Sequence, residues 1–180
     1  MKSLIYTIGH STRTFEEFIE LLKPHEIQLV VDVRRFPGSR RHPHFNKEAL
    51  EQSLKREGID YLHDDRLGGR RSTSKTSVNV GWRNTAFRGY ADYMQTRDFE
   101  AALQNLVQNA EEKTTALMCA EALPWRCHRS LIADALIVRD FRVLDIIDDK
   151  KPKERELTAF VEVNGLQLTY PNDPPQKILL

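Results

Sequence analysis

The sequence predicts an α/β fold, a single-domain and mostly parallel β-sheet flanked by helices, with a C-terminal β-hairpin. Apolar, β-branched runs such as residues 28–33 alternate with segments of helical periodicity, a pattern typical of parallel strands covered on both faces. Apolar and polar side chains alternate on either side of Asn164 and Gly165, and an Asn-Gly pair in that setting indicates a hairpin. The length of 180 residues suits one domain over 1–180.

The composition is that of an ordinary globular protein, with 40% hydrophobic and 29% charged residues. The formal net charge of +1 indicates no polyanionic partner, although positions 34–88 hold 13 Lys and Arg against 6 Asp and Glu. Two cysteines are too few for a disulfide framework, and no apolar run reaches membrane-spanning length. Because residues 1–8 are also too short and interrupted for a signal peptide, we expect a cytoplasmic protein with no membrane partner.

Three strands and two helices are predicted in the first third of the chain. The strands cover residues 4–8, 28–33 and 59–62. Thr14 and Glu17 have the spacing of a capping box at the start of the first helix, and Pro24 stops that helix. Asn46 is the expected N-cap of the second helix, which ends near Gly58.

Two more strands and three more helices are predicted before the hairpin. The strands cover 115–118 and 142–147, and the helices cover 88–94, a stretch from Phe99 onward, and 125–138. Residues 72–85 are rich in Ser, Thr and Asn and lack periodicity, so they are predicted to form a mobile loop. Residues 150–156 are expected to be a charged connector, and the Pro-rich tail, 171–180, is expected to be loosely held.

Four polar clusters follow the first four predicted strands, each at the carboxyl end of its strand. The clusters are Gly9-His10-Ser11, Asp32-Val33-Arg34, Leu67-Gly68-Gly69-Arg70, and the segment 119–129, which holds both cysteines. Because parallel strands end at one edge of a sheet, and ligands bind in the crevice there, we expect the clusters to form a single site.

Five of these residues have side chains suited to acid–base or nucleophilic catalysis: His10, Asp32, Glu121, Cys127 and His128. Histidine transfers protons near neutral pH, and either carboxylate could orient a partner or act as a base. Cys127 is expected in the first turn of a helix, where the dipole and free amides lower a thiol pKa. The structural alternatives are a satisfied polar group for His10, an ion pair for Asp32 and a small buried hydrophobe for Cys127.

A second set of residues is suited to anion binding, through arginines, hydroxyls or glycines that admit a ligand: Gly9, Ser11, Arg34, Ser39, Arg40, Gly68, Gly69, Arg70 and Arg129. Arginine binds phosphate bidentately and stacks on bases. Phe36 lies among the arginines of positions 34–41 and Phe45 follows them, which gives this stretch both basic and aromatic character. The alternative is a solvated, charged surface.

No cofactor is predicted from the sequence. Cys119, Cys127, His128 and His10 could supply thiolate and imidazole ligands to zinc, although the cysteine spacing matches no common zinc module. A zinc or redox role for Cys119, Cys127 and His128 is therefore an alternative to catalysis by the side chains alone.

The clusters resemble, in order and spacing, the bacterial and archaeal proteins grouped as domain of unknown function 488. The matching segments are Thr7-Ile8-Gly9-His10-Ser11, Asp32-Val33-Arg34 with Pro37-Gly38-Ser39-Arg40, Leu67-Gly68-Gly69, and Cys119-Ala120-Glu121 followed by Cys127-His128-Arg129. The resemblance implies an α/β fold in which these segments lie near one another, and it supplies no activity.

From the residues we expect an enzyme, a hydrolase or group transferase, that acts at the C-terminal end of the sheet. Its substrate would be phosphorylated, either a nucleotide-like small molecule or a nucleic acid. The rival hypothesis is a nucleic-acid-binding module without catalysis, which needs only the basic and aromatic surface. The sequence predicts no oligomeric state.

Overall fold

The computed structural model of the protein describes residues 3–171, which form a mixed α/β fold around a mostly parallel sheet. The strands of this range are β1 (Ser3–Gly9), β2 (Leu29–Asp32), β3 (Asp60–His63), β4 (Thr115–Cys119), β5 (Phe141–Ile146), β6 (Lys153–Glu154), β7 (Glu162–Asn164) and β8 (Gln167–Thr169). Its helices are α1 (Phe15–Leu22), α2 (Lys47–Arg56), α3 (Thr85–Tyr93), α4 (Arg97–Glu112) and α5 (Arg129–Ile137). Within residues 3–171, every helix is too short or too polar to span a membrane.

The main sheet has the strand order β3-β2-β4-β1-β5-β6, and only the last pair is antiparallel. Parallel pairing places Gly9 beside Cys119, and Asp32 beside both His63 and Met118. The segments that follow β1, β2, β3 and β4 therefore leave the sheet at a common edge. In open α/β sheets this is the edge at which ligands bind.

Helices cover both faces of the sheet, and successive residues of one strand face opposite cores. Val30 belongs to the core that contains Phe18, on the face covered by α1 and α2. Val31 belongs to the core that contains Leu131, on the face covered by α3, α4 and α5. Burial on both faces explains why positions 29–31 are all apolar instead of alternating with polar residues.

The predicted start of α1 is confirmed, whereas the predicted cap of α2 acts differently. Thr14 Oγ1 accepts a hydrogen bond from the Glu17 amide at 3.1 Å, and the Glu17 carboxylate accepts one from the Thr14 amide at 2.8 Å. Asn46 occupies the N-cap position of α2, but its Oδ1 accepts a hydrogen bond from the Ser39 amide. The Asn46 side chain therefore fixes the preceding loop and does not cap the helix.

The prediction of a helix over 125–138 is wrong at its start. Pro124–Arg126 forms a 3-10 turn, Cys127 then adopts an extended conformation, and α5 begins at Arg129. Cys127 and His128 consequently precede the helix instead of lying in its first turn. The Cys127 amide also donates to the Pro124 carbonyl at 3.1 Å, so this amide is not free to bind an anion.

Two further boundaries differ from the sequence prediction near the C-terminus. Residues 153–154 of the predicted connector form β6, which pairs with the edge of β5. In the hairpin Asn164 pairs with Gln167, so the turn is Gly165-Leu166, with a φ of +62° at the glycine. Of the tail predicted to be loose, residues 172–180 lie outside the described residues.

Residues 72–84 contain no helix or strand, and Thr85 begins α3. The loop is anchored to α3 by Asp92, whose carboxylate accepts hydrogen bonds from the Ser74 amide, Ser77 Oγ and Asn79 Nδ2. Asn79 is fully buried. The segment that the sequence predicts to be mobile is thus attached to a helix through its central residues.

Candidate functional site

A continuous cleft runs along the edge of the sheet at which the parallel strands end. It consists of three adjoining hollows of about 230, 450 and 420 Å³. Arg70 and Ala120 line all three hollows, and each hollow contains residues from at least two of the four polar clusters. The strand order therefore brings together segments that are far apart along the chain.

Arg34 is held at the floor of the cleft by Asp32. Its Nε and Nη2 donate to the two carboxylate oxygens of Asp32 at 2.9 and 2.6 Å, and Nη2 also donates to the Phe45 carbonyl at 2.7 Å. Burial alone would lower the pKa of Arg34, but the hydrogen bonds and the charge of Asp32 outweigh it and raise the pKa. Tyr61 donates a further hydrogen bond to Asp32 at 2.7 Å. The carboxylate of Asp32 is fully buried and accepts these hydrogen bonds, so it holds Arg34 in place.

Both ring nitrogens of His10 have partners. Nε2 lies 3.2 Å from Arg34 Nη1, and Nδ1 lies 2.9 Å from the Ser11 carbonyl oxygen. Because a guanidinium can only donate, Nε2 must accept, and Nδ1 must carry the hydrogen that is donated to Ser11. The ring also stacks on Phe45 with a centroid distance of 4.3 Å. Burial lowers the pKa of His10 to about 4, so the imidazole is neutral at pH 7 and its lone pair is occupied.

The side chains of Cys127 and His128 are in contact, and both line the cleft. His128 Nε2 lies 3.1 Å from the Val33 carbonyl oxygen, which can only accept, so Nε2 carries the hydrogen. In the neutral imidazole Nδ1 then carries the lone pair, and it lies 3.6 Å from Cys127 Sγ. The same sulfur accepts a hydrogen bond from Arg129 Nε at 3.5 Å. This arrangement of nucleophile, base and orienting group is the one that activates catalytic cysteines.

The pKa values of the two cysteines are shifted in opposite directions, because their sulfurs are close together. The pKa of Cys127 lies well below its ordinary value, chiefly because Cys119 donates a hydrogen bond to the Cys127 thiolate. Burial opposes this shift, while His128 and Arg129 reinforce it. The pKa of Cys119 is raised well above its ordinary value by the same hydrogen bond and by burial. Cys127 is therefore the thiol that ionises first.

Arg129, which the sequence predicts to bind an anion, does not line the cleft. Its side chain is only 1% exposed, and it lines none of the three hollows. Besides the sulfur of Cys127, it donates to Thr7 Oγ1 at 3.3 Å and to the backbone carbonyl of Glu121. Arg129 thus stabilises the turn between β4 and α5 and donates a hydrogen bond to the sulfur of Cys127.

The three predicted site glycines make room for protein atoms. A Cβ on Gly9 would lie 1.8 Å from the Glu121 carbonyl oxygen, and a Cβ on Gly68 would lie 2.8 Å from the Arg35 Cα. A Cβ on Gly69 would lie 2.9 Å from His128 Nδ1. These positions require glycine because neighbouring segments of the site approach closely, without any ligand being needed.

The remaining predicted residues lie at the rim of the cleft, with one exception. Arg70 and Glu121 are exposed and line two or more hollows, and Ser11 and Ser39 line one. The Ser39 amide and hydroxyl are engaged within their own loop, by Asn46 and the His42 amide. The exception is Arg40, which is exposed and lines none of the hollows.

Two groups of the site were missed by the sequence reasoning. Tyr61 donates a hydrogen bond to Asp32. It lies in the strand predicted to follow the second helix, and this position was the one signal in the sequence that could have indicated it. The Val33 carbonyl sets the tautomer of His128, and a backbone carbonyl leaves no signal of its own in a sequence.

Cys119, Cys127 and His128 could also hold a metal ion. One ligand atom from each lies within 4.8 Å of the others, and His10 is not part of this group. The hydrogen bond from His128 Nε2 to a carbonyl leaves Nδ1 as the ligand, as is usual for metal-bound histidine. Three protein ligands with a fourth position open are typical of catalytic zinc.

The family of the chain is shown by its sequence. Residues 14–136 match the model of a domain of unknown function, DUF488. The match includes the clusters that follow β2, β3 and β4, whereas Gly9-His10-Ser11 and the hairpin lie outside it. No curated protein and no solved structure matches the chain. More than half of the chain is covered by the family model, and the protein therefore belongs to the DUF488 family.

Proposed function

We propose that the protein is an enzyme that hydrolyses a phosphorylated substrate, or transfers its phosphoryl group, with Cys127 as the nucleophile. The observation that carries this proposal is the contact between Cys127 Sγ and His128 Nδ1, at 3.6 Å. The Val33 carbonyl orients the imidazole, and both side chains line the cleft. A low-pKa thiolate beside a base is the usual form of a catalytic cysteine.

The chemistry follows from these contacts. His128 Nδ1 takes the thiol proton, and the sulfur of Cys127 bonds to phosphorus as the bond from phosphorus to the leaving oxygen breaks. The imidazolium returns the proton to the leaving oxygen. A water molecule or an acceptor hydroxyl then gives its proton to His128 and attacks phosphorus, which frees the thiolate.

A phosphoryl group is favoured by the charges of the cleft. Arg70 is exposed and lines all three hollows, and one N–H of Arg34 Nη1 has no partner within residues 3–171. Glu121 is the one acidic side chain among the lining residues, all of which belong to the described range. Arginine binds phosphate oxygens through paired N–H donors.

Substitution of Cys127 tests the proposal directly. Turnover of a panel of aryl, sugar and nucleoside phosphates would be measured for the wild type, Cys127→Ser and Cys119→Ala. We expect the serine variant to lose at least about a thousandfold in kcat, because the weaker nucleophile needs a much stronger base. Cys119→Ala removes the hydrogen bond that contributes most to the lowered pKa of Cys127 but keeps the nucleophile and the base, so we expect a smaller loss, of about tenfold.

Thermal unfolding of both variants shows whether the fold is kept. Wild-type activity that survives in Cys127→Ser would remove the cysteine from the mechanism. A wild type that turns over no phosphorylated compound in the panel would reject the substrate class.

A zinc-dependent hydrolase is the second candidate, because the three ligand atoms of Cys119, Cys127 and His128 lie within 4.8 Å of one another. The test is elemental analysis of protein purified without chelator or affinity metal. One equivalent of zinc that disappears in Cys119→Ala would favour this candidate, since Cys119 is needed as a ligand but not as a nucleophile. Full activity of metal-free protein would exclude it.

A further inference from the structure

Phe36 is an aromatic side chain that the fold leaves in solvent at the mouth of the cleft. It is 66% exposed, more than any other large hydrophobic side chain of residues 3–171. Burying such a ring would stabilise the protein, and here that contribution is not used for folding. Single exposed apolar side chains are common, so exposure alone would indicate nothing. The position of this ring is what gives it meaning.

The ring lines the two hollows that flank the reactive groups. One of these hollows also contains Cys119 and His128, and the other contains His10 and Glu121. Both hollows share Arg34, Phe36, Arg70 and Ala120, so the ring stands between them. A planar group stacked on Phe36 would therefore belong to a ligand that also reaches the arginines.

Two guanidinium groups accompany the ring. Arg35 Cζ and Arg70 Cζ lie 5.8 and 6.0 Å from the centroid of Phe36, within the range of cation–π attraction. Arg35 Nη1 also donates to the Arg70 carbonyl at 3.2 Å. We call Arg35, Phe36 and Arg70 the Phe36 platform.

The platform is built by the contact between the loops that follow β2 and β3. Gly68 permits this contact, because a Cβ there would lie 2.8 Å from the Arg35 Cα. Arg70 holds a φ of +58°, a conformation that non-glycine residues seldom adopt. Two loops thus bring an aromatic ring and two cations together before any ligand arrives.

We infer that the Phe36 platform stacks a nucleobase, so that the phosphorylated substrate of the cleft is a nucleoside phosphate. The inference rests on the proposed function and names its substrate class. A nucleobase offers a flat π-face to Phe36, and its phosphate offers oxygens to Arg70 and to the unpartnered N–H of Arg34. An inorganic or sugar phosphate would use the arginines and leave the ring exposed. A free nucleotide and the end of a nucleic-acid strand share this chemistry.

Calorimetry with four probes tests the inference: adenosine monophosphate, guanosine monophosphate, ribose 5-phosphate and a short single-stranded oligonucleotide. We expect Phe36→Ala to weaken binding of both nucleotides by roughly 5- to 150-fold, the range measured for loss of base stacking. Ribose 5-phosphate should bind the wild type and Phe36→Ala equally. Phe36→Tyr retains the ring and should bind nucleotides within about twofold of the wild type.

Trp125→Ala is the matched control, because Trp125 is also exposed, at 53%, but lines a hollow beside Asp145 and Lys153 outside the cleft. It should leave nucleotide affinity unchanged. An oligonucleotide that binds more tightly than the mononucleotides through Phe36 would identify the strand end as the source of the nucleotide.

The outcomes separate the two proposals. If ribose 5-phosphate binds as tightly as the nucleotides, or if Phe36→Ala weakens both equally, the base platform is rejected and phosphate binding stands. If no probe binds the wild type, the phosphorylated substrate class of the proposed function is rejected as well.

Discussion

His10, which looks catalytic in the sequence, has both of its ring nitrogens engaged by other protein groups in the fold. Its position after β1, beside a glycine, is typical of a proton carrier. The structure engages Nε2 with Arg34 and Nδ1 with the Ser11 carbonyl, and Phe45 covers one face of the ring. Neither contact could be predicted, because each depends on which loops meet at the end of the sheet.

The pH dependence of stability tests this role of His10. Burial lowers its pKa to about 4 in the folded protein, from 6.5 when exposed. Between these values the unfolded chain binds a proton that the folded chain does not, so stability falls as the pH is lowered. The contribution of neutral His10 to the free energy of unfolding is fully present above pH 6.5. We expect the free energy of unfolding to be lower by about 2 kcal/mol at pH 5 than at neutral pH.

Urea unfolding of the wild type and of His10→Gln between pH 7 and pH 4.5 provides the measurement. The glutamine variant cannot titrate at this position, so the difference in stability between the two proteins should narrow as the pH falls. Parallel curves would mean that the histidine is not held neutral.

At the scale of single elements, the sequence located the strands well and the turn after β4 poorly. Apolar runs end where polar clusters begin, and for that reason the predicted ends of β1, β2, β3 and β4 lie within one residue of those observed. Pro124 marked a helix start in the sequence, but it starts a 3-10 turn, and α5 begins at Arg129. Proline suits the first turn of either helix, so the residue alone does not distinguish them.

The turn after β3 offers a test of how His128 is positioned against Cys127. In Gly69→Ala the new Cβ would lie 2.9 Å from His128 Nδ1, so the imidazole must move away. We expect alkylation of Cys127 by iodoacetamide at pH 7 to slow by about tenfold or more, because the base no longer reaches the thiol. The rate would be measured by mass spectrometry of the Cys127 peptide.

Gly38→Ala is the matched control for this substitution, since a Cβ at Gly38 has no heavy atom within 4 Å although the residue lines the same cleft. Its alkylation rate should equal that of the wild type. Equal rates in Gly69→Ala and the wild type would show that the contact with His128 does not control the thiol.

At the scale of the whole molecule, strand order decides which predicted residues share a site. The alternation of strands and helices predicted a parallel sheet, but not that β4 is inserted between β2 and β1. That insertion places Cys119 beside Gly9 and brings His128 under the Val33 carbonyl. Arg129, which the sequence predicts to bind an anion, is buried in the fold.

The basic surface outside the cleft can be separated from the cleft itself. Arg40 and Arg41 are exposed and line no part of the cleft, whereas Arg70 lines all of it. We expect the double variant Arg40→Ala, Arg41→Ala to keep the wild-type kcat and KM for a small phosphorylated substrate. Arg70→Ala should raise KM by about tenfold, because a charge-assisted hydrogen bond to phosphate is lost.

Steady-state kinetics and the salt dependence of oligonucleotide binding provide the readouts. The protein is a nucleic-acid-binding module if Arg40→Ala, Arg41→Ala abolishes both its cellular role and oligonucleotide binding, while Arg70→Ala and Cys127→Ser leave them intact. If the cleft is catalytic, Arg70→Ala should change the kinetic constants, and the double variant should change only oligonucleotide binding.

The enzyme proposal depends on the neighbours of Cys127 lowering the pKa of its thiol. The most direct measurement is the pH dependence of Cys127 alkylation in metal-free wild type, with mass spectrometry distinguishing Cys127 from Cys119. The account predicts that the rate for Cys127 is half-maximal well below the pKa of about 8.5 of an ordinary thiol, and that His128→Gln moves this midpoint upward. A midpoint at or above that of an ordinary thiol, unchanged in His128→Gln, would contradict it.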